Sequence, residues 1–247
     1  SAETWSFQRT LSHHPPYPAL PPLGRPRLRP RPLILMDYFD IHTHCIPLCP
    51  SQAIVSIDAS SLPMDEKVVY ASIGIHPWRL TEANAESQWE ALKASVNDPR
   101  IIAIGEAGLD KLKGASIPLQ TSVFQQEIAL SESLSLPMVI HCVRAFNELT
   151  QIRKASKAKQ PWIIHGFRGK PSIAQELLKQ GCWLSFGSHF QEESVRMTPL
   201  DRLFIETDES AESIEYIYHR IAGIKGISPE ELAEAINKNV REVFFKR

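Results

Sequence analysis

The chain has 247 residues, 43% of them apolar and 22% charged, with a net charge of −1. That length admits one large domain or two small ones, the composition is that of an ordinary globular protein, and no apolar run approaches the roughly 18 residues of a membrane span. The charge is uneven: residues 1–35 hold Arg9, Arg25, Arg27, Arg29 and Arg31 against Glu3 alone, and the remainder has 22 basic and 27 acidic residues, too acidic for a general binder of phosphate backbones.

Residues 1–35 read as a separate arm. Eight prolines fall between Pro15 and Pro32, interleaved with arginine and without helical or strand period. Such a segment buries too little apolar surface to offset its ordering entropy, so a disordered or polyproline-like arm is expected, with the fold occupying 36–247. The four cysteines, Cys45, Cys49, Cys142 and Cys182, show no zinc-ribbon spacing and suit reduced thiols in a cytoplasmic protein. Cys45 and Cys49 stand close enough to His42 and His44 to join a soft metal site.

From Leu33 onward short β-rich runs recur at Tyr38–His42, Ala53–Ile57, Val68–Gly74, Ile101–Gly105, Met138–His141, Trp162–His165, Trp183–Phe186 and Leu203–Thr207. Helical patterns separate most of them, at Glu82–Val96, Thr121–Ser135, Arg144–Lys157, Pro171–Gln180 and Phe190–Thr198. The link between the first two runs is too short for a full helix. Near-continuously apolar strands alternating with helices indicate a parallel sheet covered by helices. Eight repeats indicate closure into an α/β (β/α)8 TIM barrel, somewhat trimmed. Pro171 suits a first helical turn and Gly181 a C-terminal cap. After the eighth strand, Ala211–Gly223 reads as a helix. Ser228, Pro229 and Glu231 then form a capping box ahead of a last amphipathic helix through Phe245, and both helices are expected to pack on the barrel.

In such a barrel, catalytic side chains project from the carboxyl ends of the strands. Those ends hold His42 and His44 (strand one), His76 (three), Glu106 (four), His141 (five), His165 (six) and Asp208 (eight). Residues i and i+2 of a strand share a face, so the two imidazoles of Asp40-Ile41-His42-Thr43-His44 converge on one point if the strand runs through His44. Singly, each of these residues has a structural reading: a hydrogen-bonded histidine at a strand end, a capping carboxylate, a rigid turn before proline. Jointly they would crowd imidazoles and carboxylates into one mouth, a costly arrangement without a cation. His42, His44 and Asp208 can hold one ion, His141 and His165 a second, and Glu106 can bridge the two. Two such ions clamp the attacking and leaving oxygens of phosphoryl transfer. The mixed nitrogen and oxygen donors suit Zn²⁺ or Mn²⁺, with Mg²⁺ less natural.

Six segments, FDIHTH (39–44), GIHPW (74–78), IAIGEAGLD (102–110), LPMVIHC (136–142), IIHGF (163–167) and LFIETD (203–208), together with NKNVREVF (237–244), resemble the TatD-type metal-dependent deoxyribonucleases, amidohydrolase-like metallohydrolase barrels. The resemblance runs from about residue 37 to the end. It implies two divalent ions, hydrolysis of DNA phosphodiesters, from an end, by a water held between them, and the ligand division above. Asp208 would also act as general base, Glu106 as the bridging catalytic carboxylate, and His76 would lie beside the scissile phosphate. Arg144, Arg168 and Lys170 follow the histidine-bearing strands five and six and are candidate phosphate contacts. DNA is thus the expected partner, with no membrane contact and no obligatory protein partner. The chain departs from the family pattern after Asp208, where Glu209-Ser210 leads directly towards a helix and trims the substrate walls. That departure leaves a metal-dependent ester or amide hydrolase (an aminoacyl-tRNA deacylase or lactonase) as one alternative and a catalytically idle binding barrel as another.

Overall fold

The apolar runs pair side by side in chain order. In the computed structural model, described here for residues 38–245, eight strands form one sheet ordered β1 to β8 with every neighbouring pair parallel. They are β1 (Asp40–Thr43), β2 (Ala53–Asp58), β3 (Ala71–Gly74), β4 (Ile101–Asp110), β5 (Met138–Val143), β6 (Trp162–Ile164), β7 (Trp183–Phe186) and β8 (Leu203–Ile205). A parallel bridge between Thr43 and Asp208 joins the last strand to the first. The Asp208 amide donates to the His42 carbonyl at 2.9 Å, and the His44 amide to the Asp208 carbonyl at 3.2 Å. The fold is therefore the expected (β/α)8 barrel. The expectation for the arm at 1–35 falls outside the described residues.

Among the described residues seven helices cover the sheet: α1 (Ala85–Ser95), α2 (Ile117–Leu134), α3 (Phe146–Ser156), α4 (Pro171–Lys179), α5 (Glu192–Met197), α6 (Ile214–Lys225) and α7 (Pro229–Phe244). The first two crossovers hold only 3-10 turns, Pro50–Gln52 and Ala59–Ser61. Every strand brings a fully buried aliphatic residue to the core, among them Ile41, Ile54, Ile73, Ile104, Ile140, Ile164, Leu184 and Ile205. Burial on both faces is why these runs read as continuous rather than alternating. On α7, Leu232, Ile236, Val240, Val243 and Phe244 form the buried stripe, and Phe244 packs on Phe204 of β8. Its start carries the capping box: Ser228 Oγ accepts the Glu231 amide, and Glu231 returns an oxygen to the Ser228 amide. Among the described residues no helix is long and apolar enough to cross a membrane.

Several boundaries differ from the sequence reading. β4 runs on to Asp110, five residues past the apolar run, because β5 pairs with it as far as Asp110–Val143 and all ten of its residues are buried. β3 begins at Ala71 rather than Val68, and β1 stops at Thr43, one residue before His44. α2 starts four residues early because Ser116 caps it, its Oγ accepting the Leu119 amide, with Pro118 in the first turn where no donor is needed.

Candidate active site

Because all eight strands are parallel, their carboxyl ends gather at one mouth, and irregularities in the ladder aim the side chains there. Between β4 and β5, Gly105 faces Val139 and Ala107 faces Ile140, so Glu106 is an extra residue without a partner. A bulge of this kind turns a side chain away from the regular alternation. A similar register shift lies between Asp40 and Thr43, flanking His42. Gly108 has φ +148°, and a Cβ there would come within 2.0 Å of the His141 carbonyl. Only glycine lets β4 approach β5 this closely beside the histidine.

Glu106 stands at the centre. Its Oε2 lies 3.4 Å from His42 Nε2 and 3.1 Å from His44 Nε2. Its Oε1 lies 2.7 Å from His165 Nε2, 3.4 Å from His141 Nδ1 and 3.2 Å from His76 Nε2. Asp208 Oδ1 completes the first group, 3.3 Å from His42 Nε2 and 3.1 Å from His44 Nε2. Asp208 has φ +56°, a left-handed conformation that Asp tolerates better than most residues and that a functional site can sustain. His42, Glu106 and His141 are buried, and His165 nearly so. All six residues expected as ligands therefore meet in one cluster, although His44 lies just beyond the end of β1.

Two carboxylates not singled out from the sequence orient the histidines. Asp110 Oδ2 takes His141 Nε2 at 2.9 Å and Trp78 Nε1 at 2.6 Å, and Glu206 Oε1 takes His165 Nδ1 at 3.1 Å. A carboxylate accepts, so each partner nitrogen bears a proton, and in the neutral ring the other nitrogen has its lone pair towards Glu106. His76 is arranged the opposite way. Its Nδ1 accepts the Trp78 amide at 3.0 Å, which leaves a proton on Nε2 in the neutral ring. His76 thus presents a donor to the mouth, although it lies close enough to Glu106 and His141 to complete a ligand group.

The electrostatics show what this packing costs without a cation. Burial alone would raise the Glu106 carboxyl, but the imidazoles of His165 and His42 outweigh it and hold it well below the usual range. Burial likewise acts to raise Asp208, and its contacts with His42 and His44 reverse the sign. Hydrogen bonding to Asp208 and then to Glu106 pushes His44 up to about 10. Burial opposes protonation of His165 and His42, yet nearby carboxylates, Glu106 foremost, raise both. His42 is left badly served: both of its buried ring nitrogens lack a hydrogen-bond partner, and Nε2 faces two carboxylate oxygens at 3.3 and 3.4 Å without a satisfactory hydrogen bond to either. Imidazole lone pairs and carboxylates converging on one point, with such an orphan among them, fit a divalent cation better than a proton.

The remaining candidates lie outside the cluster. Arg144, with φ +52°, follows β5, and Arg168 and Lys170 follow β6. All three are exposed at the rim, and no ion pair engages them among the described residues. Cys45 and Cys49 are exposed free thiols and belong to none of the potential ligand groups.

An eight-stranded parallel barrel with this histidine and carboxylate cluster at its carboxyl mouth defines a metal-dependent hydrolase. The chain belongs to the TatD-related DNase family, whose sequence profile matches residues 40–245. It is similar to an uncharacterized metal-dependent hydrolase, YabD, of Bacillus subtilis, with 30% identity over 198 residues, 71% of this chain and 77% of that protein. A protein of Erwinia amylovora named 3′-5′ ssDNA/RNA exonuclease TatD is 28% identical over 208 residues, 71% of this chain and 78% of that one. The crystal structure of YjjV, a TatD homolog from Escherichia coli K12, superposes with a TM-score of 0.70 at 19% identity, covering 85% of this chain and 99% of that one; it shows the shared fold.

Proposed function

We propose that the chain is a two-metal phosphodiesterase that removes nucleotides from an end of DNA. The observation that carries this reading is the division of the Glu106 carboxylate, with Oε2 facing His42 and His44 and Oε1 facing His141 and His165. One carboxylate with two such histidines on each oxygen, and with His76 as a third neighbour of Oε1, is a donor arrangement for two cations side by side. Family membership and the Erwinia relative's name support the nucleic-acid substrate. His42, His44 and Asp208 would hold one ion, His141 and His165 the other, and Glu106 both.

When bound, two Zn²⁺, Mn²⁺ or Mg²⁺ ions would supply an acidified water and charge neutralisation on both sides of an in-line displacement at phosphorus. The chain's own groups do the rest. Asp208 is 35% exposed, so it can reach both the cluster and solvent, and it takes the proton of the attacking water. His76 donates from Nε2 to a non-bridging phosphate oxygen. Asp110 and Glu206 keep His141 and His165 in the tautomers described. Arg144, Arg168 and Lys170 hold phosphates further along the strand at the rim.

The test is cleavage of end-labelled single- and double-stranded DNA with Mg²⁺ or Mn²⁺ beside Asp208→Asn. Progressive shortening from one end, abolished by chelator and reduced at least 100-fold in the variant, is expected. If the protein binds metal but no Asp208-sensitive cleavage occurs, the short passage through Glu209 and Ser210 favours the ester or amide hydrolase instead. If it binds no metal after supplementation, the idle barrel is favoured.

A further inference from the structure

Beside the cluster stands an aromatic side chain that the chemistry above does not use as a surface. Trp78 is 44% exposed, whereas Trp162 and Trp183 are buried. It is also held rigidly. Its Nε1 donates to Asp110, and its ring lies 4.9 Å from His76 and 5.4 Å from His141. The loop after β4 is pressed against it: a Cβ on Gly114 would come within 2.2 Å of the Pro77 carbonyl, and Lys113 Nζ sits 3.9 Å above the indole. Lys113 has no carboxylate partner among the described residues, unlike Lys111, which pairs with Glu148. Next to the indole lies an open hollow of about 400 Å³, walled by Leu80, Leu119 and Ser116. A fixed, part-exposed indole with a free ammonium on its face, one residue's breadth from a phosphodiester site, matches the way single strands are held, by stacking bases on aromatics while cations follow the backbone.

Resting on the nucleic-acid reading above, we propose that Trp78 is a stacking platform for an unpaired base next to the scissile phosphate, and that Lys113 leaves the indole face to pair with a flanking phosphate when the base arrives. In a duplex the bases are already stacked on one another, so the platform selects single strands.

The experiment compares a (dT)6 oligonucleotide with an abasic hexamer of the same backbone, measuring kcat/KM for each and, without metal in EDTA, the affinity for labelled (dT)6. Trp78→Ala should lower the ratio of the two kcat/KM values, and the affinity for (dT)6, by about 5- to 150-fold, the range for losing one stacked base. Trp78→Phe keeps a stacking face but not the Nε1 donor, and should hold the ratio within about threefold of the parent. Lys113→Ala should reduce the slope of log affinity against log salt by about 0.7, one phosphate on a single strand. If Trp78→Ala and Trp78→Phe slow both hexamers equally and leave the ratio unchanged, Trp78 acts only through Asp110 and the platform is overturned, while the nuclease reading stands. An unchanged salt slope would overturn the role of Lys113. If the parent cleaves and binds neither hexamer, the nuclease reading itself fails and takes the platform with it.

Discussion

Removing the Glu206 carboxylate tests the tautomer logic of the site without touching a proposed ligand. Glu206 is fully buried, with one oxygen on His165 Nδ1 at 3.1 Å and the other accepting from the Ser185 hydroxyl. In Glu206→Ala both donors lose their acceptor in a place water does not reach, at a cost of about 1–3 kcal/mol. For a chain of this size each kcal/mol lowers Tm by roughly 2–4 °C, so a fall of several degrees is expected. The larger effect is on metal. With nothing holding the proton on Nδ1, His165 can turn either nitrogen to the cluster, and removal of such an outer partner costs about 10–100-fold in metal affinity. Glu206→Gln keeps a carbonyl for Nδ1–H and an amide for Ser185, and should lie between parent and alanine variant. Competition against a chelating dye with Mn²⁺ or Zn²⁺ reads this directly. Affinity of Glu206→Ala within twofold of the parent would refute the argument that Glu206 fixes the lone pair of His165.

Gly108→Ala should destabilise by at least about 3 kcal/mol, combining a glycine-only conformation with a Cβ driven into the His141 carbonyl, and thermal unfolding should show a drop near 10 °C. Saturating Mn²⁺ or Zn²⁺ at about 100 Kd should stabilise the protein by about 2.7 kcal/mol, seen as a Tm rise that chelator reverses and that His42→Ala greatly reduces. Glu127 supplies a pH test away from the cluster. Burial pushes its carboxyl well above the usual range, the hydrogen bond from the Ile75 amide opposes the shift, and Asp58 adds to it. Between the unfolded value, about 4.3, and the raised folded one, the folded state holds the extra proton, so stability falls as pH rises. Glu127→Gln removes that slope, and urea unfolding at pH 5 and pH 8 should show the variant gaining on the parent at the higher pH. Deleting residues 1–35 should change activity by less than 30-fold, about 2 kcal/mol, as measured on the end-labelled substrate.

The barrel was legible because apolar runs, helical patterns and turn residues alternate eight times, and parallel topology then places every strand's carboxyl end on one side. The residues of the cluster were legible for the same reason: His42, Glu106, His141, His165 and Asp208 each follow an apolar run. What the sequence hid was anything that depends on ring rotation or register. The bulge that aims Glu106 inward is a two-to-one mismatch between β4 and β5, visible only once both strands are paired. Asp110 and Glu206 stood in GEAGLD and ETD, yet nothing in a linear motif says which nitrogen of which histidine they face. His76 shows the same limit, since its role as donor depends on the backbone amide two residues later. The full length of β4 was hidden for the same reason: the apolar run stops at Gly105, and only the paired strands show that Gly105 and Gly108 permit close approach to β5.

The meeting of first and last strands bears on how an inactive form of this enzyme should be made. The barrel is clasped by the backbone of Asp208 against His42 and His44, and by Asp40, whose carboxylate takes both the amide and the hydroxyl of Thr207. Changing Asp208 therefore touches a fastening of the barrel as well as its chemistry. With φ at +56°, alanine would strain the clasp that asparagine leaves shut. Loss of turnover in Asp208→Asn is then a chemical result, whereas the same loss in Asp208→Ala mixes chemistry with an opened ring. Amide exchange at His44 and Asp208 separates the two, reporting whether the clasp has held.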